Sequence, residues 1–154
     1  MKELITTNGY KFKLDDSDFD FFNQWSWFCS NNYCYRGRGG SVQYLHIEIM
    51  KRESMYDSEK EIDHKDRDTF NCQKENLRIA NRSQQNSNTQ YPIGKSGYRG
   101  VLERKSGWIA RIGVNGRRIQ LGPYKTVIEA AKAYNRLAES YYGEFATLNE
   151  GIDK

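Results

Sequence analysis

The sequence lacks the features that place a protein in or across a membrane. No apolar run approaches the roughly 20 residues of a transmembrane helix, so we expect neither a membrane span nor a membrane partner. The N-terminal residues 1–6 lack the apolar core of a secretory signal peptide. Three cysteines cannot form an even disulfide framework, so we expect reduced thiols and an intracellular, cytoplasmic location. The three cysteines are Cys29, Cys34 and Cys72.

Proline and histidine are also scarce. The chain has two prolines, so its 13 glycines are the main signals for the ends of helices and strands. It has two histidines, His46 and His64, which leaves few candidates for a side chain that exchanges protons near neutral pH.

Charge is distributed unevenly along the 154 residues. The formal net charge is +4 and the pI is about 8.9. Residues 95–144 contain ten Lys and Arg against four Glu, a net charge of +6, whereas residues 1–94 have a net charge of −1. A basic C-terminal part behind a nearly neutral N-terminal part indicates that affinity for nucleic acid is concentrated towards the C-terminus.

Short strands dominate the predicted N-terminal half. Alternating residues on both sides of Asn8-Gly9 predict a hairpin with a two-residue type I′ turn. Asp15 is predicted to start a short helix, and a second hairpin is predicted from strands at 33–36 and 42–46. The aromatic residues between them are assigned to the core, with a stacking platform for single strands as the alternative. They are Phe19, Phe21, Phe22, Trp25, Trp27 and Phe28.

The C-terminal half predicts a small sheet followed by one helix. Strands are expected at 98–104, 108–114 and 117–121, with Asn115-Gly116 as a hairpin turn. Thr126 and Glu129 have the spacing of a capping box, and the apolar periodicity predicts a helix to about residue 141, ended by Gly143. The polar residues 81–95 predict a linker. The fold class is therefore α+β, in two small domains.

One set of residues is the strongest candidate for chemistry. Asp63 and His64 are adjacent, and Asn76 follows twelve residues later. His64 can accept a proton from water in phosphodiester hydrolysis, while Asp63 and Asn76 offer oxygen ligands to a hard cation such as Mg²⁺. Adjacent strand residues point to opposite faces, so a shared site requires a twist or bulge there. The alternative is a surface Asp-His pair with an Asn that caps a helix.

This set resembles the motif of the HNH homing endonucleases of phages and introns. The resemblance rests on Leu45-His46, residues 62–64, residues 75–80 and residues 82–86. It implies a ββα-metal motif over about residues 44–80, inside an endonuclease domain at residues 1–80, and a single Mg²⁺ or Mn²⁺ ion. It also implies a phage or mobile element as the source.

The same resemblance assigns roles to individual residues. His64 corresponds to the general base, and Asp63 and Asn76 correspond to the metal ligands. Asn71 and Cys72 stand where the family carries Asp-Asn, whose Asn stabilises the loop. Cys72 therefore departs from the family pattern, unless Asn71 stabilises the loop instead with a shift of one residue. His46 matches an upstream histidine, which is expected near the site or in a structural or phosphate-contacting role.

Residues 96–149 resemble an AP2/ERF DNA-binding domain, through Ser96–Val101, Gly107–Ile112, Gly116–Gly122 and Glu129–Tyr134. The resemblance implies a three-stranded sheet in the major groove of double-stranded DNA, braced by one helix. The matching contact positions are Arg99, Gly100, Arg104, Arg111, Arg118 and Gln120, with Arg117 and Lys105 as phosphate contacts. The alternative is a basic, solvated sheet face.

These observations predict a metal-dependent DNA endonuclease that the C-terminal domain targets to a site. A monomer or weak dimer with one active site per chain predicts nicking of one strand. The alternative is a sequence-specific DNA-binding regulator with a decayed nuclease motif, which Cys72 favours; an RNA-binding protein is a third interpretation. We expect no small-molecule cofactor. Buried thiols account for the cysteines better than a structural zinc site does.

Overall fold

A computed structural model describes residues 1–88 and 94–152. The chain divides into two compact units, Met1–Asn81 and Arg82–Lys154. The architecture is mixed α and β, with small antiparallel sheets and four helices among the described residues. None of the helices described is long and apolar enough to cross a membrane.

The first unit contains three small antiparallel sheets and two helices. Strand β1 pairs with β2, β3–β4–β5 form a three-stranded sheet, and β6 pairs with β7. The elements are β1 (Lys2–Ile5), β2 (Lys11–Leu14), α1 (Asp16–Phe22), β3 (Phe28–Ser30), β4 (Tyr33–Arg38), β5 (Ser41–Tyr44), α2 (Leu45–Arg52), β6 (Glu61–His64), a 3₁₀ turn (Lys74–Asn76) and β7 (Leu77–Ala80).

The first hairpin is present, but its predicted turn is wrong. Ile5 pairs with Lys11, so five residues connect the strands rather than the two of a type I′ turn. The reason is tertiary: Asn8 exchanges two hydrogen bonds with the backbone of Cys29, donating to its carbonyl at 2.9 Å and accepting from its amide at 3.0 Å. Asn8 thereby ties the first hairpin to β3.

The core of the first unit is largely aromatic and aliphatic. Trp27 is fully buried, and its indole nitrogen donates to the Phe22 carbonyl at 2.8 Å. Phe21 and Phe28, which the sequence predicts to lie in this core, are instead 39% and 44% exposed. The three cysteines are buried and free.

The second unit is a three-stranded antiparallel sheet of order β10–β9–β8, with helix α4 packed on it. Its elements are α3 (Arg82–Asn88), β8 (Val101–Arg104), β9 (Gly107–Val114), β10 (Arg117–Tyr124), α4 (Val127–Tyr142) and a 3₁₀ turn (Gly143–Phe145). Helix α3 occupies the first half of the segment predicted to be a linker, and residues 89–93 of that segment lie outside the described residues.

Local signals account for the ends of α4 and for one turn of the sheet. The Thr126 hydroxyl accepts from the Glu129 amide at 3.1 Å, and the Glu129 carboxylate accepts from the Thr126 amide at 3.0 Å, which is the predicted capping box. Gly143 follows the helix with a φ of 53°. Asn115 and Gly116 both have positive φ in a two-residue turn, as a type I′ hairpin requires.

Candidate functional site

The Asp-His pair lies on β6, and β7 sets its surroundings. In the β6–β7 ladder Asp63 is opposite Arg78 and His64 is opposite Leu77. Asp63 and His64 are 6% and 5% exposed. A surface Asp-His pair, the alternative considered from the sequence, therefore does not describe these two side chains.

Asp63 forms a buried ion pair with Arg78. Two guanidinium nitrogens, Nε and Nη2, donate to the same carboxylate oxygen of Asp63, Oδ2, at 2.9 and 2.8 Å. Arg78 is itself 9% exposed. A carboxylate taken out of water is costly unless it is paired, and Arg78 supplies the compensating charge.

His64 is surrounded by rings and by acidic groups. Its ring centroid is 5.5 Å from that of His46 and 6.4 Å from that of Tyr33. Burial lowers the pKa of His64, and the negative charges of Asp66, Asp63 and Asp68 partly oppose that shift. The imidazole is therefore neutral at pH 7, which is the state in which it can accept a proton.

The structure brings His46 to the same place as His64, although from a different element than the sequence predicted. His46 lies in the first turn of α2, not at the end of a strand. Burial lowers its pKa to about 4, and the charge of His64 acts in the same direction. Two neutral imidazoles therefore lie side by side at neutral pH.

Asn76 braces the loop that connects β6 to β7. Its amide oxygen accepts from the Asp66 backbone N–H at 3.0 Å. Its amide nitrogen donates to the Asp66 carboxylate at 2.9 Å and to the Asn71 carbonyl at 2.8 Å. The buried Asn76 amide thus hydrogen-bonds to the loop near its start, at Asp66, and near its middle, at Asn71. The family resemblance assigns this stabilising role to residues 71 and 72.

Asn71 and Cys72 support the same loop in different ways. The Asn71 side chain donates to the Asp66 carboxylate at 2.8 Å. Cys72 is buried in the core, where its backbone amide donates to the Lys13 carbonyl at 2.9 Å, and burial raises the pKa of its thiol. Burial of Asp66 acts to raise its pKa, but hydrogen bonds from Asn71, Asp68 and Asn76 outweigh that and keep this pKa below the ordinary value.

The donor atoms suit a hard cation through Asp63, because a carboxylate oxygen is a ligand that Mg²⁺ prefers. The Asn76 amide oxygen is less available to a cation. Its oxygen already accepts from the Asp66 amide, which leaves one of its two acceptor positions. Within residues 1–88 and 94–152, no group of three or more His, Cys, Asp or Glu side chains is arranged to hold a metal ion.

In the second unit, four of the predicted DNA contacts share one face of the sheet. Arg111 is directly opposite Gln120, and Arg118 is opposite Gly113, two residues along the same face. Arg104 is opposite Gly107, and Gly107 lies on the same face of β9 as Arg111, so Arg104 shares that face. The opposite face carries the buried residues Val101, Ala110 and Ile112. The arrangement leaves three arginines and one glutamine on the face that is not part of the core.

The other predicted contacts are placed differently. Arg99 exchanges backbone hydrogen bonds with the Asn149 side chain at 2.6 and 3.1 Å, and its guanidinium donates to the Ser87 carbonyl at 3.2 Å. Gly100 has a φ of 67°, and a side chain there would collide with the Tyr134 ring. Arg117 is exposed but alternates onto the opposite face from Arg118.

Sequence reasoning missed two residues of the first site. Arg78 was noted only as part of a motif, because its partnership with Asp63 depends on the register of β6 with β7 across a long connection. Asp66 is not among the residues predicted from the sequence, yet its carboxylate accepts hydrogen bonds from Asn71, Asn76 and the Asp68 amide. Only the bonds of Asn76 and Asn71 distinguish Asp66 from its neighbours.

Parts of the chain are similar to proteins from plants and from a giant virus. Over 89 residues it is 33% identical to an uncharacterized HNH endonuclease of Acanthamoeba polyphaga mimivirus, a match that covers 58% of this chain and 46% of the relative. Over 55 residues it is 46% identical to dehydration-responsive element-binding protein 2A of Oryza sativa, covering 34% of this chain and 20% of the relative. Protein 2C of that name from Arabidopsis thaliana is 44% identical over 55 residues, covering 34% of this chain and 16% of the relative.

The chain therefore spans less than half the length of each of these relatives. No family model matches the chain, and no solved structure gives a significant match.

Proposed function

We propose that this protein is a site-selective DNA endonuclease that hydrolyses phosphodiester bonds with one divalent metal ion and nicks one strand. The observation that carries the proposal is the buried pair of Asp63 and His64, set beside a loop that Asn76 braces. The similarity to a viral HNH endonuclease supports it. The domain assignment, an HNH domain at residues 1–80 with a ββα-metal motif, belongs to the same proposal.

His64 is the proposed general base. Its neutral imidazole accepts a proton from the attacking water, and its burial excludes competing solvent. Asp63 is the proposed metal ligand and Arg78 holds its carboxylate in place. A bound Mg²⁺ or Mn²⁺ ion would supply Lewis-acid stabilisation of the charge that develops on the phosphate and on the leaving oxygen.

Asn76 has two proposed roles that differ in strength of support. The three hydrogen bonds of its amide support a bracing role, since they fix the loop at Asp66 and Asn71. The second role, as a metal ligand through its oxygen, remains a prediction from the sequence. The two roles lead to opposite expectations for Asn76→Asp: a bracing role predicts a less stable protein, whereas a ligand role predicts that stabilisation by Mg²⁺ is kept.

The second unit is proposed to select the DNA site with an AP2-like arrangement over residues 96–149. Arg104, Arg111, Arg118 and Gln120 form a polar face that can read base edges in the major groove, where Arg pairs with guanine and Gln with adenine. The similarity to plant element-binding proteins supports this assignment. Residues 99 and 100 support the sheet in this proposal, because their contacts lie within the unit.

A second candidate function is a sequence-specific DNA-binding regulator. Two observations favour it: Cys72 is buried in the core where the HNH pattern places a loop-stabilising Asn, and the Asp63 carboxylate is already neutralised by Arg78. The two candidates share the DNA partner and differ only in whether the first unit cuts.

Incubation with supercoiled DNA distinguishes them. Purified protein is mixed with plasmid and with genomic phage DNA, in Mg²⁺ and in EDTA, beside the His64→Ala and near-isosteric His64→Asn variants. The endonuclease predicts metal-dependent conversion to open-circle DNA, lost in both variants while DNA binding is unchanged. Cleavage that persists in both variants would remove His64 as the base. Tight sequence-selective binding without cleavage of any DNA would favour the regulator.

A further inference from the structure

The first unit contains a cavity that the proposed nuclease chemistry does not use. It has a volume of about 370 Å³ and is lined by Trp25, Ser26, Arg36, Gly37 and Arg38. Arg36 and Arg38 are alternate residues of β4 and so project from the same face of the strand. Two arginines therefore line one small cavity whose lining includes no carboxylate.

Arg36 is held in a fixed orientation. Its guanidinium carbon lies 3.8 Å from the centroid of the Trp25 ring and 5.1 Å from that of the Trp27 ring. Its Nε donates to the Gln43 side-chain oxygen at 3.1 Å. Arg36 is only 8% exposed. The Arg36 side chain is therefore already fixed in the folded protein. Binding of a ligand to it does not carry the further entropy cost of ordering this side chain.

Neither cation forms an ion pair in the described structure. Among the residues that the structure describes, no Asp or Glu forms an ion pair with Arg36 or Arg38. Burial and the charge of Arg38 both lower the pKa of Arg36, and only the charge of Glu48 acts in the opposite direction. The buried Arg36 cation is therefore desolvated without an ion-pair partner, which destabilises the protein unless an anion compensates it.

We propose that this cavity is a binding site for a phosphate group. The planar edge of Arg36 suits bidentate contact with two phosphate oxygens, Arg38 supplies a second cation, and the Ser26 hydroxyl supplies a neutral donor. The phosphate could come from a DNA backbone, which rests on the proposed function, or from a free phosphate or nucleotide. The chemistry is the same for both sources, and the experiment separates them.

Arg38→Gln is the appropriate variant. Arg38 is exposed, and among the described residues its side chain forms no hydrogen bond or ion pair, so its replacement removes one cation without leaving a cavity. Lys11→Gln is the matched control, because it removes the same charge from an exposed site in the same unit and lies outside the cavity lining. Both variants are made in the full chain, and all measurements are made in EDTA so that cleavage does not contribute.

The first measurement uses inorganic phosphate as the probe. Proton–nitrogen NMR follows the Nε–H of Arg36 and the indole N–H of Trp25 during titration of the full-length protein. We expect saturable shifts of both signals, with affinity about tenfold weaker in Arg38→Gln and unchanged in Lys11→Gln. Absence of shifts in the wild type, or equal weakening in the control, would overturn the proposal.

The second measurement identifies the source of the phosphate. The affinity for a DNA duplex of random sequence is measured as a function of salt concentration. If the cavity holds a backbone phosphate, Arg38→Gln lowers the slope of log K against log salt by about one, and Lys11→Gln does not. If inorganic phosphate binds while this slope is unchanged, the ligand is a free phosphate or nucleotide. A chain that binds no DNA would end the proposed nuclease function, and the phosphate titration would still test the cavity.

Discussion

Asp63 and Arg78 face each other across the β6–β7 ladder, and both Nε and Nη2 of Arg78 donate to one oxygen of the Asp63 carboxylate. The proposed metal ligand is therefore already neutralised by a neighbouring cation. A divalent ion bound by Asp63 would share this carboxylate with Arg78, so the proposed metal binding would be coupled to the stability of the fold.

The first prediction concerns Arg78→Met. This change keeps much of the side-chain volume but leaves the buried Asp63 carboxylate without its partner, so we expect a loss of about 3–5 kcal/mol in the free energy of unfolding. Urea unfolding in EDTA at pH 7 measures it. The double variant with Asp63→Asn is the control, and it should recover much of the loss because no charge is left unpaired.

Addition of Mg²⁺ tests the ligand role through the same measurement. If Asp63 holds the metal, Mg²⁺ stabilises Arg78→Met more than it stabilises the double variant, because the cation replaces the missing positive charge. An equal response of the two proteins to Mg²⁺ would contradict Asp63 as a ligand, independently of any cleavage assay.

The features that could be predicted from the sequence are those fixed within a few residues. The capping box of Thr126 and Glu129 and the turn at Asn115-Gly116 depend on local hydrogen bonds and positive φ angles, which the residue types alone indicate. The same reasoning was wrong at Asn8-Gly9, because Asn8 bonds to Cys29, twenty-one residues away. A local rule failed where a distant partner competed for the same side chain.

The candidate site divides in the same way. Asp63 and His64 could be selected from their spacing and type, but the partner of Asp63 could not, because Arg78 reaches it only through the register of a hairpin with a long connection. The direction in which the Asn76 amide points also depends on the folded loop at Asp66 and Asn71. Residue identities therefore indicated the candidate side chains, and strand register determined how their charges are paired.

The second prediction compares Asn76→Ala with Asn76→Asp. Alanine removes three hydrogen bonds to the loop, which should cost about 2–3 kcal/mol. Aspartate removes the two donated bonds and sets a second carboxylate against Asp66. If Asn76 is a brace, Asn76→Asp is at least as unstable as Asn76→Ala at pH 7 and recovers as the pH falls towards 5.

A ligand role gives the opposite result for the same two variants. A carboxylate binds Mg²⁺ more strongly than an amide oxygen does, so Asn76→Asp would then keep or increase the stabilisation by Mg²⁺, whereas Asn76→Ala would lose it. Urea unfolding at pH 7 and pH 5, with EDTA and with Mg²⁺, covers both expectations. A fully stable Asn76→Asp in EDTA at pH 7 would contradict the bracing role.

The third prediction concerns pH and His46. Its pKa is about 4 in the folded protein against 6.5 when unperturbed, so the unfolded chain binds the proton first as the pH falls. The stability that comes from neutral His46 is complete above pH 6.5 and is lost between pH 6.5 and 4. Between pH 7.5 and 5 the loss should be about 1–2 kcal/mol, since the half-buried ring is partly screened.

His46→Gln measures this contribution against the wild type. The variant keeps polar contacts but cannot titrate, so its unfolding free energy should change less between pH 7.5 and 5. The pH dependence of the unfolding free energy that remains in the variant is expected to come from His64, whose pKa is also lowered by burial. Work above pH 5 avoids protonation of the loop carboxylate Asp66, whose pKa is low. If the free energy of unfolding has the same pH dependence in the variant and in the wild type, the pKa of His46 is not lowered in the folded protein.

The fourth prediction uses neighbouring arginines on opposite faces of β10. Arg118 shares the face of Arg111 and Gln120, whereas Arg117 alternates to the other side. If that face reads base edges, Arg118→Ala weakens binding to selected DNA by about 1–3 kcal/mol and relaxes the preference at one position. Arg117→Ala should weaken binding to selected and unselected DNA equally, because a phosphate contact carries no sequence information.

Both variants lose one positive charge from adjacent exposed positions, so any difference between them isolates the direction of the side chain from its charge. Selection from a random duplex pool with the wild-type protein supplies the preferred DNA, and competition with unselected duplex gives the specificity ratio. Arg111→Ala should behave like Arg118→Ala, since the two side chains share a face. If Arg117→Ala and Arg118→Ala lower affinity for both DNAs by the same factor, the sheet binds only the backbone, and site selection must come from elsewhere in the chain.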